Sequence, residues 1–254
     1  SPGRQIQKTF YAFLSVFTWA AVAVLAGAFF FWVSILFCPV FFFDRTRSIM
    51  HGAARRWAKT ILFVAQPLWT CRVEGLEAIQ KGRHYVVVSN HQSMLDILIL
   101  LAVLPIHFKF IAKKELFFIP VVGWHMILAN YIAVDRKDPE SRKKALVEAR
   151  SWLSRQVGIL FFPEGTRSLS GEIQAFKEGA FRLAQQHGVE VLPVVLDGMW
   201  NAFPKHSWKI EKRAHFDVWI GRPIAIEEEK SVREVSQKIR AEMIERLKAL
   251  RKRR

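Results

Sequence analysis

The sequence predicts an α/β domain on a mainly parallel, mixed sheet flanked by helices, preceded by an N-terminal membrane-embedded helical segment. Three observations carry this expectation. The 34 residues from Phe10 to Phe43 hold no charged side chain, which reads as membrane-embedded. From about Trp69 onward, short β-branched or aromatic runs alternate with helical patterns, the signature of a parallel sheet with crossover helices. The most polar short motifs of that region follow directly on strand-like runs, and open parallel sheets bind ligands beyond the carboxyl ends of their strands.

The apolar run would measure ~50 Å as one straight helix, against a hydrocarbon core of ~30 Å. It must therefore tilt, break or lie partly in the interface, and Pro39 is the natural break point. A signal peptide is not expected, because the apolar core is too long and no small-x-small site follows it. In the next segment, Ile49, Ala53, Trp57 and Ile61 recur at helical spacing, with Arg55, Arg56 and Lys59 off that stripe. This suits an amphipathic helix with basic side chains at lipid headgroups, or equally a helix packed on the following domain. Basic residues flank the apolar run on both sides, Arg4 and Lys8 before it and a richer set from Arg45 to Lys59 after it. The domain that follows is expected on the cytoplasmic side. The chain thus divides into residues 1–66, membrane-anchoring helices, and 67–254, the α/β domain.

Within that domain the expected strands are 85–89, 108–112, 131–134, 158–162, 190–196 and 216–220. A helix starts near Ser93 and fades before Pro105. Another has Asp138 as N-cap and Pro139 in first position, and continues to about Gln156. A third covers Lys177 to His187, stopped by Gly188. The last runs from about Glu228 toward Leu250. Its basic tail favours the helix dipole and needs no functional explanation.

The formal charge of +16 calls for a polyanionic partner, whether nucleic acid, anionic membrane or phosphorylated substrate, unless it serves solubility alone. Only Cys38 and Cys71 occur. They match no metal or disulfide framework, and free thiols in a reducing compartment are expected.

Four expected strands end in polar motifs: "NHQSMLD" (90–96), "KKEL" (113–116), "DR" (135–136) and "PEGTRS" (163–168). They should converge on one site. His91 and Asp96 can approach only if His91 precedes a helix and Asp96 lies in its first turn, since five helical residues turn by ~500°. Ser93 and Asp96 also fit a capping box, so the carboxylate could serve the helix alone. The helix start is a natural oxyanion or phosphate site. Lys113, Arg136, Arg167 and Lys177 near a His–Asp pair suit a phosphorylated substrate and a general base. No Walker loop, nucleophile elbow or zinc motif occurs, so a covalent serine or cysteine intermediate lacks support.

"NHQSMLD" followed by "FPEGTRS" (162–168) resembles the glycerolipid acyltransferase family, specifically its bacterial 1-acylglycerol-3-phosphate acyltransferases. "AKKELFFIPVVG" (112–123), "NYIAVDR" (130–136) and "VLPVVL" (191–196) resemble further blocks. Asn130 stands where the family has glycine, and asparagine tolerates positive φ. The resemblance implies that His91 is the base and Asp96 its orienting carboxylate. It implies that Glu164, Gly165, Thr166 and Arg167 bind the acceptor, with Lys113, Arg136 and Lys177 beside them. Glu164 could instead be a turn carboxylate paired with an arginine. The implied partners are lysophosphatidate, acyl-CoA or acyl carrier protein as co-substrate, and an anionic phospholipid membrane, with no cofactor, no metal and no nucleic acid. The implied location is the bacterial inner membrane, catalytic domain toward the cytoplasm. Rival readings are another lysolipid or glycerol 3-phosphate as acceptor, a lipid hydrolase using the same residues, and a non-catalytic basic membrane protein.

Overall fold

A computed structural model describes residues 42–65, 69–120, 122–202 and 214–253, together with Val24, Ala28, Phe29 and Trp32. Most of the charge-free run, and Cys38 with it, lies outside the described residues. Among the described residues no helix is long and apolar enough to cross a membrane.

The elements run α1 (Ser48–Ala65), β1 (Trp69–Glu74), β2 (Val86–Ser89), α2 (Leu95–Val103), β3 (Phe108–Lys113), α3 (Val122–Leu128), β4 (Ile132–Val134), α4 (Pro139–Leu153), β5 (Gly158–Phe161), α5 (Gly179–Gln186), β6 (Val191–Asp197), α6 (Met199–Ala202), β7 (Ala214–Ile220) and α7 (Val232–Arg251). The strands form one sheet in the order β1-β7-β6-β2-β5-β3-β4. Every neighbouring pair is parallel except β6 with β7. The mainly parallel mixed sheet flanked by helices is thus present.

Strand β2 sits at the centre because its three valines are buried on both faces. Val87 packs in the layer under α1 and α2, whereas Val86 and Val88 pack in the layer under α4, α5 and α7. Full burial on both sides is what a continuous β-branched run without alternation demands. The expected start of α4 holds: the Asp138 side chain accepts from Glu140 N at 3.0 Å, with Pro139 first in the helix. Gly188 ends α5 at φ +60°, and Asn130 takes φ +50° at the anticipated turn. Strand β1 and helix α3 were not anticipated. The first is an exposed edge strand with little apolar alternation, and the second spans barely two turns.

Helix α1 corrects the expected stripe. Its buried face is Met50, His51, Ala53, Ala54 and Ala58, so only Ala53 of the predicted stripe is buried. Small residues let α1 settle closely on α2, leaving Ile49 exposed and Trp57 and Ile61 only part-covered. Beneath it lies a polar knot that no periodicity announced. Lys109 is 0% exposed and donates to Thr46 O at 2.8 Å and Ala129 O at 2.6 Å. Its ammonium stands 4.6 Å from the Trp152 ring centre. Burial pushes this lysine down to about 7. His51 spans Ile106 O at 3.1 Å and the Tyr131 hydroxyl at 3.2 Å, so Nε2 donates and Nδ1 accepts. Together these bonds fasten α1 to the sheet.

Candidate active site

The carboxyl ends of β2, β5, β3 and β4 lie along one edge of the sheet, in that order. That edge carries the polar motifs. The end of β2 is pinned first: the Asn90 side chain donates to Leu196 O and accepts from Leu196 N, both at 2.8 Å. This amide pair continues the β2–β6 ladder through a side chain and ends the strand at a fixed height.

His91 follows. Its Nδ1 lies 2.7 Å from Asp96 Oδ2. The same oxygen accepts Gln92 N at 2.7 Å and Ser93 N at 2.9 Å. Asp96 is fully buried. The two readings of this residue therefore describe one atom, which holds the turn and orients the imidazole together. Helix α2 begins at Leu95, two residues beyond the expected Ser93 cap. The capping box survives in altered form, with Leu95 N donating to Ser93 Oγ at 3.3 Å. A carboxylate on Nδ1 fixes the proton there and leaves Nε2 as the ring's basic nitrogen. Phe162 stacks on the imidazole at 4.0 Å and 17°, a contact the sequence reading missed.

Several donors of the helix start are already engaged. Gln92, Ser93 and Leu95 N–H groups are taken up by Asp96 and Ser93 side chains, and Asp96 N donates to Ser93 O at 3.4 Å. These four donors are spent on the turn itself.

Glu164 is buried, and burial raises its carboxyl above the usual range. Among the described residues it pairs with no arginine. Oε1 accepts His91 N at 2.8 Å and Oε2 accepts Gln174 N at 2.9 Å. It is a strut between the His91 turn and the far side of its own loop. Ser168 N adds a bond to His91 O at 2.7 Å. The signal for this role lay in the sequence only as a glutamate beside a proline and a glycine, which any turn carries.

Gly165 adopts φ +76°, and a Cβ there would stand 2.6 Å from Lys177 Nζ. Lys177 therefore lies across the loop against Gly165, and its backbone N–H donates to Pro163 O at 2.9 Å. Thr166 is exposed and Arg167 half-buried. Partial burial, then the nearby Arg167 guanidinium, lowers the Arg136 pKa. The Glu115 carboxylate acts on Arg136 in the opposite sense, and neighbouring guanidiniums suit an anionic group. Lys113 is less committed. It is exposed and pairs with Glu115 at 3.0 Å, while its neighbour Lys114 holds Asp135 at 2.6 Å. Among the described residues no cluster of His, Cys, Asp and Glu could hold a metal ion.

A histidine held by a buried carboxylate thus stands beside a cationic loop at the end of an α/β sheet. Residues 70–197 match the family described as Acyltransferase, and the chain belongs to that family. It is 38% identical to a chloroplastic 1-acyl-sn-glycerol-3-phosphate acyltransferase from Arabidopsis thaliana, over 70% of this chain and 49% of the relative. It is 32% identical to the 1-acyl-sn-glycerol-3-phosphate acyltransferase of Saccharomyces cerevisiae, over 70% of this chain and 60% of that one. Its fold resembles the crystal structure of the 1-acyl-sn-glycerophosphate (LPA) acyltransferase PlsC from Thermotoga maritima. That match has TM-score 0.69 and 29% identity, covering 89% of this chain and 96% of the other. The chain spans about half the length of the plant relatives it matches.

Proposed function

We propose that the protein transfers an acyl group from a thioester, acyl-CoA or acyl carrier protein, to the free hydroxyl of 1-acylglycerol 3-phosphate, giving phosphatidate. The observation that carries this reading is the 2.7 Å contact between His91 Nδ1 and the buried Asp96 carboxylate, beside the Arg136–Arg167 pair. His91 Nε2 removes the hydroxyl proton as the oxygen attacks the thioester carbonyl. Asp96 stabilises the positive charge that then develops on the ring. Collapse of the tetrahedral intermediate breaks the carbon–sulfur bond, and the proton passes from Nε2 to the sulfur. A thiol leaving group has an ordinary pKa near ~8.5 and needs little acid assistance. No cofactor or metal enters these steps. Arg136, Arg167 and Lys177 bind the acceptor phosphate, and Glu164 keeps their loop in register with His91.

A lipid acceptor requires a membrane-facing site. Residues 1–66 would hold the chain on the membrane, with the domain of residues 67–254 carrying the chemistry. A bacterial inner membrane, with that domain toward the cytoplasm, fits the basic flank. Two exposed apolar groups support membrane contact. Phe42, Phe43, Phe63 and Val64 project around α1. Phe118 is 81% and Trp124 63% exposed, on the segment that leaves the site edge of β3 beside Lys113 and Lys114. Aromatic residues rimmed by lysine suit the headgroup boundary of an anionic bilayer.

The test is turnover by purified protein with a panel of lysolipids and both thioester donors. Phosphatidate from lysophosphatidate is expected, and His91→Ala should abolish it. Release of free fatty acid without acyl transfer would favour a hydrolase, and no thioester-dependent product from folded protein would overturn the reading.

A further inference from the structure

We propose that α7, which lies beyond the matched family region, is part of the catalytic apparatus, and that its Arg240 and Arg251 are positioning residues for the loop 163–177. The proposal rests on reading that loop as the acceptor-binding loop.

Eleven helical residues turn by about three full turns, so Arg240 and Arg251 share one side of α7. Ile239, Met243, Leu247 and Leu250 bury the adjoining stripe against the sheet, which fixes both arginines in height and direction. Arg240 donates from Nε to Gln174 O at 2.6 Å and from Nη2 to Ile173 O at 2.8 Å. The Gln174 N–H in turn donates to Glu164 Oε2, and Glu164 Oε1 accepts the His91 N–H. A continuous chain of hydrogen bonds thus runs from the helix to the backbone of the catalytic histidine.

Arg251 makes a second chain. It donates from Nη2 to Gly171 O at 2.8 Å and from Nε to Asp197 Oδ1 at 3.3 Å, and it also pairs with Glu172. The Gln92 amide donates weakly to the same two acceptors, at 3.3 and 3.4 Å. Gln92 N donates to Asp96 Oδ2. Gly171 has φ +76°, and a Cβ there would stand 3.1 Å from Arg251 Nη2, so the glycine admits the guanidinium.

Arg240 therefore spends its donors on two loop carbonyls and Arg251 on one loop carbonyl and two carboxylates, and each reaches one member of the His91–Asp96 pair through a short relay. Packing alone does not require this. An arginine stem would bury equally well with its head in water. The clasp sets where Arg167 and Lys177 stand relative to His91. Small misplacements of a bound group are costly in rate.

Arg240→Gln and Arg251→Gln test this by two measurements. Amide exchange of residues 163–177 should quicken while β2 and β6 stay protected. The kcat/KM should fall by roughly 10-fold or more on lysophosphatidate, mainly through KM, and by no more than about twofold on a monoacylglycerol lacking phosphate. Arg240→Lys should restore part of the loss, because one donor replaces two. Unchanged loop exchange, or equal losses on the two acceptors with a lowered Tm, would overturn the clasp. A wild-type protein inactive on lysophosphatidate would instead remove the acceptor reading, and loop exchange alone would then decide for or against the clasp.

Discussion

His91 Nδ1 and Asp96 Oδ2 stand 2.7 Å apart, and that single carboxylate oxygen also accepts two backbone N–H groups of the intervening turn. Ring and turn therefore respond differently to substitution. His91→Ala should remove a positioned base, worth ~10²–10⁴ in rate, and leave the turn intact. Asp96→Ala should cost comparable activity and also about 2–5 kcal/mol of stability, since two buried N–H groups lose their acceptor. Urea midpoints of the two variants, measured beside kcat, separate the effects. Equal midpoints would show that the carboxylate does not hold the turn.

Glu164→Gln keeps the volume and removes one acceptor. A glutamine offers one carbonyl oxygen where two N–H groups, from His91 and Gln174, each need one. Its amide N–H would face a second donor. The expected result is a loss of about 1–3 kcal/mol in stability with lowered kcat. Wild-type stability and kcat in this variant would mean that the strut is dispensable.

Arg136→Ala and Arg167→Ala should each reduce kcat/KM on lysophosphatidate by roughly 10- to 100-fold, the worth of ~1.5–3 kcal/mol for a charged hydrogen bond. Much of the loss should appear in KM, because phosphate is bound in ground and transition states alike. An acceptor without phosphate should be barely affected. Equal losses on both acceptors would assign the arginines to structure or membrane binding.

His107 and His125 are each pushed down to about 4 by burial first and by the Lys109 charge second. Between about pH 4 and the ordinary histidine value near ~6.5, the unfolded chain binds protons that the folded chain does not. Stability is therefore fully present above that window and falls as pH drops through it, by up to ~1.4 kcal/mol per pH unit for each histidine. Denaturant titrations from pH 4 to 7 should follow this slope, and it should lessen in His107→Gln. A flat profile would place protonated histidines in the folded core.

The strand-end motifs, the Asp138 cap and the valine run of β2 were legible because each is local. Turn chemistry and burial periodicity act over a few residues, and a strand leading into polar side chains already names the sheet edge. The reach of α7 to the loop 163–177 was not legible. Its arginines read as ordinary basic residues of a C-terminal helix, because a donor's partner depends on which carbonyls the fold brings within 3 Å.

By itself, the sequence determined the α/β class and the polar sheet edge, since periodicity and residue type carry that information. Only the tertiary structure decided that Asp96 holds both ring and turn, that Glu164 is a strut, and that Lys109 is buried under α1. Each of these is a question of which donor meets which acceptor across the fold. Hydrogen bonds form or fail over a few tenths of an ångström, a precision set by packing and not by order along the chain.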